Sequence, residues 1–300
     1  MTNINNPIKF WLYSFHMPLF FVLSGYCSTF SLQRQFREYL KRKIKTIFIP
    51  TVCFTILISL WLYFGEKIPI VSYLSEHLPH ALWFLEILFI CDIINYFLIK
   101  LPKWIYAIIM IACLIAGVYL HHLRISFPHT LASSPISMFF IGMGSLLSPV
   151  WRYTLQLKFQ PKDLLLCISA LFSAFFFGYI FVGSSFFYDT TPYALDISAN
   201  NIKCSNAINS LLCIGGLCGI CSMIAHWNKK LDAFMGWLGR NTLAVMCIHL
   251  LFIRCFGHYL RPLSPSHAIY KIIEFPLVIV CSLVFARLAE KHFPFIIGKK

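Results

Sequence analysis

Six ionisable side chains stand inside runs of apolar residues: His16, Glu86, Asp92, Arg240, His249 and Arg254. At membrane depth such a group costs about 2.5–3.5 kcal/mol on insertion scales, so each is a candidate for function. His16 lies in Phe15-His16-Met17-Pro18, followed by Leu23-Ser24-Gly25-Tyr26. Pro18 removes one backbone hydrogen bond and kinks a helix. Ser24-Gly25 lets a second backbone, or a ligand, approach closely. A histidine just ahead of a kink faces a polar cavity or bonds a neighbouring carbonyl. Glu86 ends Leu82-Trp83-Phe84-Leu85-Glu86, and Asp92 follows six residues later. Six steps of about 100° put the two carboxylates on different helix faces, so they need different partners. His249 ends the segment Gly239-Arg240-Asn241-Thr242…Ile248-His249. Arg240, at its start, either meets a phosphate or snorkels to the interface. Lys41, Arg42, Lys43 and Lys45 crowd ahead of Pro50. Such a turn sets topology or docks a phosphorylated cosubstrate.

The elements that must carry these residues follow from composition. Of 300 residues 59% are hydrophobic, 17% aromatic and only 12% charged, and the mean hydropathy is +0.74. Ordinary soluble domains carry about 25% charge. A soluble globule could not cover this much apolar surface, so a soluble enzyme, a disordered chain and a fibrous repeat are excluded. The sequence predicts an all-α, polytopic membrane helix bundle forming one domain over residues 1–300. A spanning helix needs about 20 mostly apolar residues. Nine stretches qualify, near 8–30, 44–64, 81–99, 103–122, 132–149, 163–183, 207–226, 234–256 and 270–288. The longest connection, about 184–206, is too short for a soluble domain.

The basic excess, 25 Lys+Arg against 11 Asp+Glu, follows the spans. Segments 34–45, 100–103, 152–162, 229–230 and 287–300 hold 17 of the 25 Lys and Arg, and the alternate connections hold 6. By the positive-inside rule the first set is cytoplasmic, with the C-terminus inside and the N-terminus outside. The partner of this charge is then the lipid bilayer, and nucleic acid is not expected, because the cations sit in short turns. At about 1.5 Å per residue, His16, Glu86 and His249 all come to lie roughly 8–12 Å below the outer surface, as a polar chamber requires. The 12 cysteines sit mostly within apolar runs, as small buried hydrophobes. They form neither a disulfide framework nor a metal-ligand pattern, and no metal is expected. No cleavable signal peptide is visible.

Phe15–Tyr26 (FHMPLFFVLSGY), Lys41–Pro50 (KRKIKTIFIP), Leu82–Phe89 (LWFLEILF) and Gly239–His249 (GRNTLAVMCIH) together resemble the acyltransferase-3 superfamily of integral membrane acyltransferases, in its fucose 4-O-acetylase-like branch. The resemblance implies an enzyme of the bacterial cytoplasmic membrane. It would move an acetyl group from acetyl-CoA, a cosubstrate and not a bound cofactor, to a sugar hydroxyl of a cell-surface glycan or lipid-linked sugar. It implies His16 and His249 lining the transfer chamber, with Glu86 orienting one of them. Lys41, Arg42, Lys43, Lys45 and Arg240 would hold acyl-CoA, and Ser24, Trp83 and Asn241 the acceptor. Two departures stand out. Members begin with one further helix bearing an arginine and a histidine, whereas this chain starts where that helix would end. Two arginines commonly precede the proline of the basic turn, where Lys43 and Thr46 stand here; lysine lacks the bidentate fork and threonine the charge. An inactive or truncated relative is therefore one competing expectation. A transporter or flippase of a lipid-linked sugar is the other, but transporters often carry internal repeats, and none stands out.

Overall fold

The computed structural model describes residues 7–31, 34–67, 78–122, 133–156, 161–177, 204–263 and 266–299. Among these residues every regular element is helical. The long helices are α1 (Pro7–Ser28), α2 (Phe36–Lys43), α3 (Ile49–Gly65), α4 (Leu78–Leu98), α5 (Lys103–His122), α6 (Ser134–Leu146), α7 (Ser148–Gln156), α8 (Pro161–Phe177), α9 (Cys204–Trp227), α10 (Lys229–Tyr259) and α11 (His267–His292). Short 3-10 turns follow at Thr29–Ser31, Arg261–Leu263 and Pro294–Ile297. A helix lies at each of the nine apolar stretches. Five helical runs among the described residues are long and apolar enough to cross a membrane: Phe36–Gly65, Lys103–Leu120, Ala207–Ala225, Lys229–Tyr259 and Ile269–His292. Ser134–Leu146 is apolar but has only 13 residues, about 20 Å of helix against a hydrocarbon core of about 30 Å. The expected connection over 184–206 falls, up to residue 203, outside the described residues.

The basic segment, expected as a turn, is helical instead. α2 passes through a π turn, Ile44–Phe48, directly into α3. Pro50 has no amide to offer the carbonyl one turn back, and its ring crowds that carbonyl. The wider turn just upstream lets the helix continue without that rung. Capping marks other boundaries: Asn228 Oδ1 accepts the Lys230 and Leu231 amides at 3.0 and 3.1 Å where α10 begins, and Ser266 Oγ accepts the Ile269 amide at 3.2 Å where α11 begins.

The chain divides into two compact units, residues 1–39 with 87–232 and residues 40–86 with 233–300. In the first unit α1 packs on α6 and α9, α6 on α5, and α9 on α8. The α1–α6 crossing is made by reciprocal glycines. A Cβ on Gly25 would lie 1.9 Å from the Ile141 carbonyl oxygen, and one on Gly144 would lie 1.9 Å from that of Val22. Two backbones thus touch where the sequence offered only a small-residue step, the usual device for close helix approach in lipid. The Ser145 hydroxyl reinforces the contact, donating to the Gly25 carbonyl at 3.0 Å.

In the second unit α3 makes aromatic contact with α11 through Phe54–Phe285 and with α10 through Trp61–Tyr259. The Pro294–Ile297 turn packs on α3 and α11. Gly298, at φ 73°, occupies the left-handed region. A Cβ there would meet Thr46 Cα at 2.7 Å, so the tail closes directly on the π turn.

Candidate functional site

The first unit carries His16 and Ser24 on α1. His16 is half-buried, and Pro18 is buried within the uninterrupted helix. Ser24 is eight residues on, about 12 Å along the axis. Its hydroxyl lies 2.9 Å from both Asp92 carboxylate oxygens and donates to them. Asp92 is fully buried on α4. Ser28, one turn past Ser24 and on the same face, donates to the Ser24 carbonyl at 2.9 Å and stands 3.4 Å from Asp92 Oδ1. Buried Tyr39 donates its hydroxyl to the Asp92 main-chain carbonyl at 3.0 Å. One turn further along α4, buried Asn95 accepts the Tyr106 hydroxyl at 2.6 Å. A polar stripe therefore runs through an apolar unit, and Ser24 spends its proton on a carboxylate. Inside a low-dielectric interior, hydroxyl donors of this kind are what make a carboxylate tolerable.

The second unit carries the remaining expected residues. Lys45 lies three residues past Arg42 and four past Lys41, so it neighbours both on the helical run. Lys41 and Arg42 are exposed; Lys43 and Lys45 are half-buried. Trp83 is buried and Glu86 half-buried on the first half of α4. On α10, Arg240 is exposed, Asn241 buried and His249 half-buried, the last following fully buried Cys247 and Ile248. Arg254, one of the six ionisable groups at depth, pairs with Glu66 at 3.4 Å.

Asn241 is committed at both ends of its amide. Nδ2 donates to the Trp237 carbonyl at 3.0 Å and toward Glu290 Oε2 at 3.4 Å, while Oδ1 accepts from Lys299 at 3.0 Å. Glu290 also accepts from Trp237 Nε1 at 2.8 Å and from Lys299 at 2.6 Å. This bracket of Trp237, Asn241, Glu290 and Lys299 is absent from the sequence reading, where Lys299 counts only as a topology signal and Glu290 is not singled out. One signal was available: Trp237 and Asn241 are four apart and present one face of α10 to a common acceptor. Asp92 was named among the six groups, but its partner, 68 residues away on α1, was not.

His16 and Ser24 thus fall in one unit, and Glu86, Trp83, the basic face, Arg240, Asn241 and His249 in the other. The family model described as an acyltransferase domain, that of the acyltransferase-3 family, matches residues 2–289. No curated protein and no solved structure matches the chain. A match over nearly the whole chain, on helices apolar enough to cross a lipid bilayer several times, settles the affiliation: this multi-pass membrane protein belongs to the acyltransferase-3 family.

Proposed function

We propose that the chain is a membrane O-acyltransferase that moves an acetyl group from acetyl-CoA to a sugar hydroxyl of a cell-surface glycan or lipid-linked sugar. The observation that carries the proposal is the acyltransferase family match across residues 2–289. Nine crossings, the bacterial cytoplasmic membrane and a cytoplasmic C-terminus complete the reading, supported by the charge alternation and by a helix at each apolar stretch.

The chemistry assigns roles as follows. An imidazole, His16 or His249, takes the acceptor hydroxyl proton, since its ordinary pKa lies near working pH. The alkoxide oxygen attacks the thioester carbonyl, forming a C–O bond and a tetrahedral oxyanion that nearby donors stabilise. The C–S bond then breaks, and the proton passes from the imidazolium to the departing thiolate. Glu86 orients one imidazole. Lys41, Arg42, Lys43, Lys45 and Arg240 meet the CoA phosphates as charge-assisted donors. Trp83 stands on the acceptor side. Ser24 and Asn241, whose polar atoms are held by Asp92 and by the Glu290–Lys299 bracket, serve as positioning residues for their helices.

The test is mass spectrometry of surface polysaccharide from a deletion strain complemented with the chain, with His16→Ala and with His249→Ala. Loss of a general base lowers turnover by about 10²–10⁴-fold, so the acetyl mass increment should vanish at equal protein level in the variant that removes the base. Full acetylation in both would refute the assignment.

A further inference from the structure

The first unit contains a cavity of about 360 Å³ whose lining includes none of the cations of α2. It lies where α1 ends, where α5 begins and where α6 gives way to α7. That volume is within the range of about 300–1,000 Å³ typical of small-ligand sites. Its polar lining comes from Thr29, Lys103, Tyr106, Ser145, Ser148 and Arg152, with hydrocarbon from Ile99, Leu101 and Leu146. Among the described residues no carboxylate lines it. Two hydroxyls are turned to protein acceptors, Tyr106 to Asn95 and Ser145 to the Gly25 carbonyl. The donors left at the wall are the Lys103 ammonium, the Arg152 guanidinium and the Ser148 hydroxyl.

Arg152 is held in place. Its Nη2 donates to Thr29 Oγ1 at 3.3 Å, and its guanidinium lies 4.5 Å from the centre of the Phe30 ring. A guanidinium fixed by one nitrogen keeps other N–H groups for an oxyanion. Both α5 and α7 start at this wall, so the positive ends of two helix dipoles add to the two cations. Beside the cations in sequence stand Trp104 and Tyr153, 67% and 65% exposed. Large aromatics of this kind collect at the headgroup level of a bilayer. Cationic donors and an apolar wall, with exposed aromatics next to both cations in sequence, describe a place for the phosphate of an amphiphile.

We propose that this cavity binds the phosphate ester of an anionic phospholipid, held by Lys103, Arg152 and Ser148, with its acyl chains along the apolar flank. The proposal needs only that the protein lies in a membrane and is independent of the acyl-transfer reading. The purified full chain in neutral detergent, titrated with phosphatidylglycerol, phosphatidylcholine or coenzyme A under native mass spectrometry, tests it. The expected result is retention of phosphatidylglycerol over phosphatidylcholine, reduced about tenfold in K103Q/R152Q. The control K229Q/K230Q, which removes two exposed cations elsewhere, should stay within about twofold of wild type. If K103Q/R152Q does not fold, as judged by circular dichroism, Lys103→Gln alone carries the test, being an exposed side chain, with about a threefold loss. Unchanged phosphatidylglycerol binding in these variants would overturn the proposal. So would an equal loss in the control, since the effect would then be diffuse charge. Displacement of the lipid by coenzyme A would also overturn it, assigning the phosphate chemistry to a soluble cosubstrate.

Discussion

Gly25→Ala tests the α1–α6 crossing. The added Cβ falls 1.9 Å from the Ile141 carbonyl oxygen, 2.7 Å from the carbonyl carbon and 3.0 Å from Cα, all main-chain atoms that cannot turn aside. Ordinary contact begins near 3.4 Å, so the two helices must part by about 1.5 Å. Overpacking of this kind costs about 1–3 kcal/mol. Parting also stretches the 3.0 Å bond from Ser145 to the Gly25 carbonyl, and interhelical hydrogen bonds in membranes average about 0.6 kcal/mol. The expected loss is therefore about 2–3 kcal/mol. Reversible unfolding of the purified chain in mixed micelles of rising sodium dodecyl sulfate, followed by tryptophan fluorescence and circular dichroism, reads it directly. Gly215→Ala is the matched control, because nothing lies within 4 Å of its new Cβ. It should be neutral or gain up to about 1 kcal/mol of helix propensity. Gly144→Ala should resemble Gly25→Ala, and the double variant should cost less than the sum, since helices already parted accept the second methyl cheaply. A Gly25→Ala protein as stable as Gly215→Ala would show that the two backbones do not touch and would remove the crossing described here.

Further expectations follow from the polar contacts. Asp92→Ala should cost about 1–3 kcal/mol in the same assay, and a cycle with Ser24→Ala should return a coupling of about 1 kcal/mol; additive effects would mean the 2.9 Å contacts do not form. Gly298→Ala, forced into a left-handed φ against Thr46, should cost about 1–2 kcal/mol and speed proteolysis of the C-terminal turn; protection equal to wild type would count against that docking. Glu66→Gln should change stability by less than about 1 kcal/mol, because its pair with Arg254 is partly exposed; a larger effect would place the pair in a drier setting than its exposure indicates.

Much of the molecule could be read from residue order, and the limit of that reading has a physical cause. Hydropathy locates helices because lipid demands long apolar runs whose backbone is satisfied internally; a helix lies at each apolar stretch, and five helical runs among the described residues are long and apolar enough to span. Ser24-Gly25 could be read as a point of close approach, because a missing Cβ is a local property. What touches it could not be read: Ile141 and Ser145 come from a helix more than a hundred residues away, and helical period gives a face, never a neighbour. Asp92 illustrates the same limit, as its depth was legible and its serine partner was not. The basic segment failed for a different reason. A cluster of charge marks a turn as readily as a helix, yet Lys, Arg and Glu are good helix formers, and only Pro50 disturbs the ladder. The Glu290–Lys299 bracket was hidden because terminal charges serve topology as well as bonding, and composition cannot separate the two uses.

The π turn at Ile44–Phe48 also fixes a phase. A widened turn holds one residue more than the regular ladder, and each residue rotates the helix by about 100°. The cations of α2 and the exposed apolar stripe of α3 are thus offset by that angle. Deleting a single residue between Lys43 and Ile49 would turn the two runs against each other by that angle, against the buried Tyr39 hydroxyl bond at one end and the seat of Gly298 on Thr46 within the turn. The angular placement of charge on this cylinder is thus set by residue count as well as by residue type.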